Sequence, residues 1–167
     1  TAGTTGFATS FVNAGTINVT SGTLDASHAA PITVSNLTVA ADGNLIVTID
    51  PTSGNTAGFN VTGTASLATG SGLGVRFTSL IDTLQRYTII DAGTLNYGAI
   101  DLDTVQTNSP YLFVIEAGAN VPAGQVYVDA RRRSATEAGL ATVEASAYDA
   151  FYDALDRDED MLAVFLN

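Results

Sequence analysis

The chain has 167 residues, 46% of them hydrophobic and 14% charged, and its 17 acidic and 6 basic residues give a formal net charge of -11. This length suits one sizeable domain, and the hydrophobic content excludes a disordered acidic tail. The negative charge argues against a nucleic-acid partner, because phosphate backbones are bound through basic patches. The chain has no cysteine, which excludes disulfide bonds and thiolate metal sites, and no apolar run reaches the length of a membrane-spanning helix.

Residues 1–77 are rich in Gly, Thr, Ser, Asn and Val, and their short apolar alternations predict strands. Three similar triplets, at residues 17–19, 37–39 and 59–61, start about 20 residues apart, a spacing typical of one coil of a β-solenoid. In such a coil, alternate side chains point into a common core. We therefore predict a right-handed parallel β-helix over 1–77, with residues 51–58 as an outward loop.

Residues 78–130 lose this repeat and become more aromatic, which predicts longer strands, at 87–91, 99–105, 111–116 and 125–130. The last two strands flank a turn-rich connection and should form an antiparallel pair. We expect this region to cap the solenoid, because an open end exposes core residues and unpaired strand edges. The cap should also resist unfolding longest, since Gly, Ser and Thr fill the coils. Its predicted core consists of Tyr87, Ile89, Tyr111, Phe113, Ile115, Val126 and Val128.

Residues 131–167 change to a composition of Ala, Glu, Leu, Tyr and Asp, which predicts helix. Ser134 and Glu137 match a capping box, so the helix should begin there. The acidic run 156–160 should end it, and residues 161–165 indicate a short second helix. Because of how the sequence starts and ends, we expect it to be a fragment of a larger protein. The expected apolar stripe of the first helix is Leu140, Val143, Ala147, Phe151 and Leu155.

No constellation of residues in the sequence indicates catalysis, a cofactor or a metal ion. His28 is the only histidine and lies in a small-residue segment that predicts an exposed loop. Asp101 and Asp103 should form the solvated face of a strand whose Ile100 and Leu102 point inward. The run 156–160 begins like a calcium loop but lacks its glycine and its final glutamate, so a helix–helix turn is favoured.

The basic cluster Arg131–Arg132–Arg133 allows two interpretations. It could meet phosphate groups or an acidic partner, or it could compensate acidic residues of the same chain. Internal compensation is favoured, because the cluster follows the last strand of a chain with a large negative charge.

Segments 37–51, 59–67, 87–93 and 126–153 together resemble the C-terminal part of the passenger of bacterial autotransporters, upstream of the outer-membrane barrel. The resemblance implies a non-catalytic end of the passenger stalk, whose cap promotes folding and display at the bacterial cell surface or after extracellular release. It also implies that the partner is the protein's own outer-membrane barrel, outside these residues, and that any glycan or protein ligand binds the upstream passenger. The oligomeric state stays open.

A second hypothesis is a β-solenoid that binds or cleaves glycans or binds another surface through its coil faces. A regular column of exposed Thr, aromatic or acidic side chains would support it. Thr20, Thr38, Thr48 and Thr62 suggest such a column, but they occur at unequal sequence offsets.

Overall fold

The structure, a computed structural model, describes residues 4–6, 15–26, 31–52 and 58–166. Within these ranges ten strands form one sheet and three α-helices follow or interrupt it, so the predicted combination of mostly β structure with C-terminal helices is confirmed. The strands are β1 (Thr4–Gly6), β2 (Thr16–Ala26), β3 (Ile32–Val34), β4 (Asn36–Ile49), β5 (Phe59–Leu67), β6 (Ser71–Phe77), β7 (Gln85–Tyr97), β8 (Ile100–Asp101), β9 (Phe113–Asn120) and β10 (Gln125–Arg132). The helices are α1 (Leu102–Thr107), α2 (Thr142–Leu155) and α3 (Glu159–Leu166).

Strands β1 to β8 pair with one another in parallel. Ile17 lies opposite Leu37, as the triplet repeat predicts, but Leu37 lies opposite Ala65. The step along the chain therefore grows from 20 to 28 residues between these neighbours. The third triplet, 59–61, pairs with β3 and not with 37–39, so its predicted register is wrong. The cause is the segment between β4 and β5, of which residues 53–57 lie outside the described ranges.

Alternate residues of the parallel strands are buried and stack across the ladder. In β4 and β6 the pairs are Leu45 with Leu73, Val47 with Val75 and Ile49 with Phe77, and each of these side chains is at most 3% exposed. Full burial of one such side chain is worth about 1.5–3 kcal/mol. The coils therefore have an aliphatic core of their own, although Gly, Ser and Thr are common in their sequence.

Residues 102–107 form helix α1, so the predicted strand over 99–105 is wrong beyond Asp101. Asp101 caps the helix by accepting a hydrogen bond from the backbone N–H of Asp103, 3.0 Å away, and Leu102 is exposed and not inward-pointing. An aspartate that binds its own following backbone competes with strand pairing. The Asp101 side chain therefore ends β8 after two residues, and the chain continues as α1.

Helix α1 and the loop after it cover the free edge of β6. The N–H of Leu73 donates to the Thr104 hydroxyl at 3.1 Å, and the N–H of Val75 donates to the Ser109 hydroxyl at 3.0 Å. Gly74 permits this approach, because a Cβ there would lie 2.5 Å from the Cβ of Asn108. The side chains thus replace the strand that would otherwise satisfy this edge.

The pairing direction changes at β7. This strand pairs in parallel with β5 and in antiparallel fashion with β10, and β10 pairs with β9 in the same way, which confirms the predicted antiparallel pair. The Gln106 amide covers the outer edge of β9 by donating to the Phe113 carbonyl at 3.2 Å and accepting from the Ile115 N–H at 3.4 Å. The first residues of this edge are therefore covered.

Six of the seven predicted cap-core residues are buried, and Tyr111 is the exception at 64% exposed. Residues 111–112 form a turn before β9, so the alternation that puts Phe113 and Ile115 inside does not extend back to Tyr111. Leu112 is buried there. The buried six are Tyr87, Ile89, Phe113, Ile115, Val126 and Val128.

Candidate functional site

Arg132, at the end of β10, contacts three residues of α2. The Arg132 guanidinium lies 4.0 Å from the centroid of the Tyr152 ring and 4.8 Å from that of Tyr148. It also donates to Asp149 at 2.7 Å. Stacking on two rings and pairing with a carboxylate use the planar shape of the guanidinium, and together they attach α2 to the sheet.

Tyr152 also anchors α2 to the segment before β7. Its buried hydroxyl donates to the Ile81 carbonyl at 2.8 Å and accepts from the Ile81 N–H at 3.2 Å. Burial raises the pKa of Tyr152 well above its ordinary value, so the phenol stays protonated and remains a donor. Because one side chain satisfies both backbone groups of Ile81, this residue can be buried without a ladder partner.

The buried stripe of α2 is offset from the predicted one. Leu155 is buried as predicted, but Ala147 and Phe151 are exposed, and Tyr148 and Tyr152 face the core instead. Each tyrosine lies one residue after a member of the predicted stripe, Ala147 or Phe151. The tyrosines are buried because each hydroxyl has a backbone acceptor, which for Tyr148 is the Arg133 carbonyl at 2.9 Å.

The predicted capping box is present, but it does not begin α2. The Glu137 N–H donates to the Ser134 hydroxyl at 3.3 Å, and the Ser134 N–H donates to the Glu137 carboxylate at 2.9 Å. The turn that follows ends at Gly139, whose φ of 77° is left-handed, and α2 begins at Thr142. The glycine is the physical reason for the later start, because a left-handed residue closes a helical turn.

Arg131 and Glu137 form a two-pronged pair with nitrogen–oxygen distances of 2.8 and 2.6 Å. Hydrogen bonds from Arg131, and next from Ser134, hold the pKa of the Glu137 carboxyl well below its usual range. Arg133 donates to the Tyr111 carbonyl at 2.7 Å and lies 4.6 Å from the Tyr111 ring centroid. Arg131 and Arg132 thus pair with acidic residues of the same chain, as internal compensation predicts, whereas Arg133 contacts backbone carbonyls and a ring.

An open recess of about 490 Å³ lies between the arginines and α2. Its lining includes Arg132 and Asp149, which already pair with each other, together with Asp82, Ser134 and Tyr148. The side chains that line this recess hold α2 against the end of β10. Their hydrogen-bonding and stacking groups are engaged in that contact.

The remaining candidates from the sequence are separate from this cluster. The predicted helix–helix turn is formed by residues 156–158, whereas 159 and 160 already belong to α3. Asp158 accepts the Met161 N–H at 3.0 Å at the start of α3. His28 lies outside the described residues. Within the described ranges, no group of three or more His, Asp or Glu side chains is arranged to hold a metal ion.

In the part of the chain that the structure describes, none of the helices combines the length and apolar character needed to cross a membrane. Comparisons of the chain with protein-family models, curated proteins and solved structures found no match.

Replacement of Tyr152 by Phe should destabilise the fold by about 1–3 kcal/mol, because it leaves the Ile81 N–H and carbonyl buried without a partner. The ring and its stacking on Arg132 remain. Tyr111→Phe is the matched control, since that ring is exposed, and its free energy of unfolding should change by less than about 0.5 kcal/mol. Urea denaturation followed by circular dichroism gives both values, and equal values for the two variants would contradict the anchoring role of Tyr152.

The Arg131–Glu137 pair should make stability depend on acid pH. Because the pKa of Glu137 is lowered on folding, its stabilisation is present above the ordinary value of 4.5 and is lost as the pH falls toward the folded pKa. Thermal unfolding at low salt should show a shallower loss of melting temperature below pH 4.5 in Glu137→Gln than in the wild type. Arg131→Gln removes the other member of the pair and should show the same shallower loss. An unchanged slope in Glu137→Gln would exclude the pair as its source.

Proposed function

We propose that the chain is the non-catalytic end of an autotransporter passenger stalk, in which β1 to β6 form coils of a right-handed parallel β-helix and the strands from β7 onward cap it. The observation that carries the proposal is the change from parallel to antiparallel pairing at β7. Right-handedness follows from the general rule for crossovers between parallel strands. The resemblance of the sequence to such passengers supplies the biological setting.

The antiparallel strands suit the role of a terminus. A parallel stack can add coils indefinitely as long as its last strand offers a free edge. Here β10 occupies that edge of β7, β9 follows, and the Gln106 amide satisfies part of the edge of β9. Along Gln85–Asp91 of β7, a further coil therefore has no free edge to join.

An aromatic cluster links the cap to the last coil and offers a route by which the cap promotes folding. The Phe77 ring of β6 lies 5.0 Å from that of Phe113 and 5.8 Å from that of Tyr87. Both partners belong to the cap strands. A cap that forms first would present these rings to β6 and so template the adjoining coil, after which each coil would template the next.

In this proposal the protein functions at the bacterial cell surface, or outside the cell after release, without catalytic activity or a cofactor. Its partner is the outer-membrane barrel of the same protein, and ligands of the complete passenger bind upstream of the cap.

Ile115→Ala tests the cap. Ile115 is 6% exposed, and its truncation should cost about 2–5 kcal/mol and delay protection of the coil amides during refolding. In the wild type, hydrogen exchange should be slowest within residues 87–128. Leu84→Ala is the control, because Leu84 is 66% exposed and contributes little to the core. Slower exchange in β2 and β4 than in the cap strands would contradict templating by the cap.

A second candidate function, glycan binding along the coil surface, is favoured by one specific observation. Asn18, Thr38, Ser66 and Asn96 lie opposite one another on successive strands, although unequal sequence offsets separate them. Asn96 donates to the Ser66 hydroxyl at 3.1 Å, and the partly buried Tyr97 lines a shallow groove of about 590 Å³ beside this column. Hydroxyl and amide groups next to an aromatic ring suit a neutral sugar.

Binding of fluorescently labelled neutral polysaccharides decides this second candidate. Asn96→Ala should weaken binding, whereas Asn60→Ala, in a different exposed column opposite Thr33 and Asp91, should not. Equal binding by both variants, or none by the wild type, would exclude the column as a glycan site.

A further inference from the structure

The outer surface of the two C-terminal helices is apolar and exposed. Phe151 of α2 and Met161, Val164 and Phe165 of α3 form what we call the outer helix patch, and Val164 is the most exposed of them at 74%. Leu162 and Leu166 of α3 pack against the core instead. Helix α3 is therefore apolar on two faces, only one of which has a partner in the described part of the chain.

The residues of the outer helix patch are neighbours and form one surface. The rings of Phe151 and Phe165 make an edge-to-face contact with centroids 5.4 Å apart. Met161 precedes Val164 by three residues and Phe165 by four, spacings that place side chains side by side on a helix. Single exposed apolar residues are ordinary, but a contiguous group that joins two helices is typical of an interaction surface.

Acidic residues accompany the outer helix patch. Asp153, Asp156, Asp158 and Asp160 are exposed, and Arg157 is the only base within 153–160. Asp158 caps the start of α3 through the Met161 N–H, and Asp160 precedes Val164 by four residues, so both lie at the patch. An occupant would therefore meet an apolar centre with negative charge beside it.

The negative charge limits which partners can bind this apolar surface. A second copy of the chain would bring the same aspartates into contact, and an anionic bilayer would be repelled. A helix with one apolar face and flanking Lys or Arg residues matches both features. We propose that the outer helix patch binds a basic amphipathic helix of a partner protein.

The size of the surface fits this occupant. Helix α3 has 8 residues, which corresponds to a length of about 12 Å, or roughly two helical turns of a partner lying along it. Phe151 extends the apolar surface onto α2. The exposed aromatic rings are the side chains that most often contribute large shares of binding energy at such interfaces. This interaction is independent of the stalk function proposed above.

The test uses the whole chain and a short labelled peptide of Leu and Lys in amphipathic helical order, with a Leu and Glu peptide of the same pattern for comparison. Fluorescence anisotropy should show binding of the Lys peptide alone, and the affinity should fall as salt is added. Amide chemical-shift changes should concentrate in residues 147–166. The double variant Met161→Ser, Val164→Ser should bind about tenfold more weakly.

Matched variants separate this site from general attraction to an acidic protein. Leu102→Ser removes an apolar side chain that is 61% exposed on α1, and Asp103→Asn removes an exposed carboxylate there; neither should affect binding. Asp156→Asn combined with Asp160→Asn should weaken it and reduce its salt dependence. Equal weakening by the α1 variants, shift changes elsewhere, binding of the Glu peptide, or a Val164-dependent dimer in light scattering would each overturn the proposal.

Discussion

Backbone hydrogen bonding at the strand edges is the constraint on which the rest of this structure depends. A sheet built largely from parallel strands keeps presenting unpaired N–H and carbonyl groups, and each buried one left without a partner costs free energy. The chain meets this cost by two means. The antiparallel strand β10 takes the edge of β7, and side chains from α1 and its loop take those of β6 and β9. One six-residue helix thereby serves two edges of the same sheet.

The arginines explain how the helical part is joined to this sheet. All six basic residues are Arg, and several use the planar guanidinium in ways that Lys cannot reproduce. Arg86 pairs with both oxygens of Asp129 while it lies 3.8 Å from the Tyr127 ring centroid, and it lowers the pKa of the Asp129 carboxyl. Arg132 combines stacking and pairing in the same way at α2. The bias toward Arg therefore has a physical basis in stacked, forked contacts.

The sequence predicts the features that depend on local pattern. Alternation identifies most of the cap core, and the composition change after Arg133 identifies the helices. Tyr111 was misplaced because a turn interrupts the alternation, and α1 was missed because the carboxylate of Asp101 overrides strand propensity. Tyr148 and Tyr152 were missed as anchors because their burial depends on distant backbone acceptors at Arg133 and Ile81. Pattern alone does not contain such long-range partners.

Neighbouring strands are separated by steps of 20 and 28 residues, so the strand register does not depend on the length of the connection. Strand register fixes the shape of the core, whereas the number of residues between strands varies without disturbing it. Leu37 still stacks between Ile17 and Ala65, although different lengths of chain connect them. Evolution can therefore change the length of the connection between Ile49 and Phe59 while the ladder keeps its geometry.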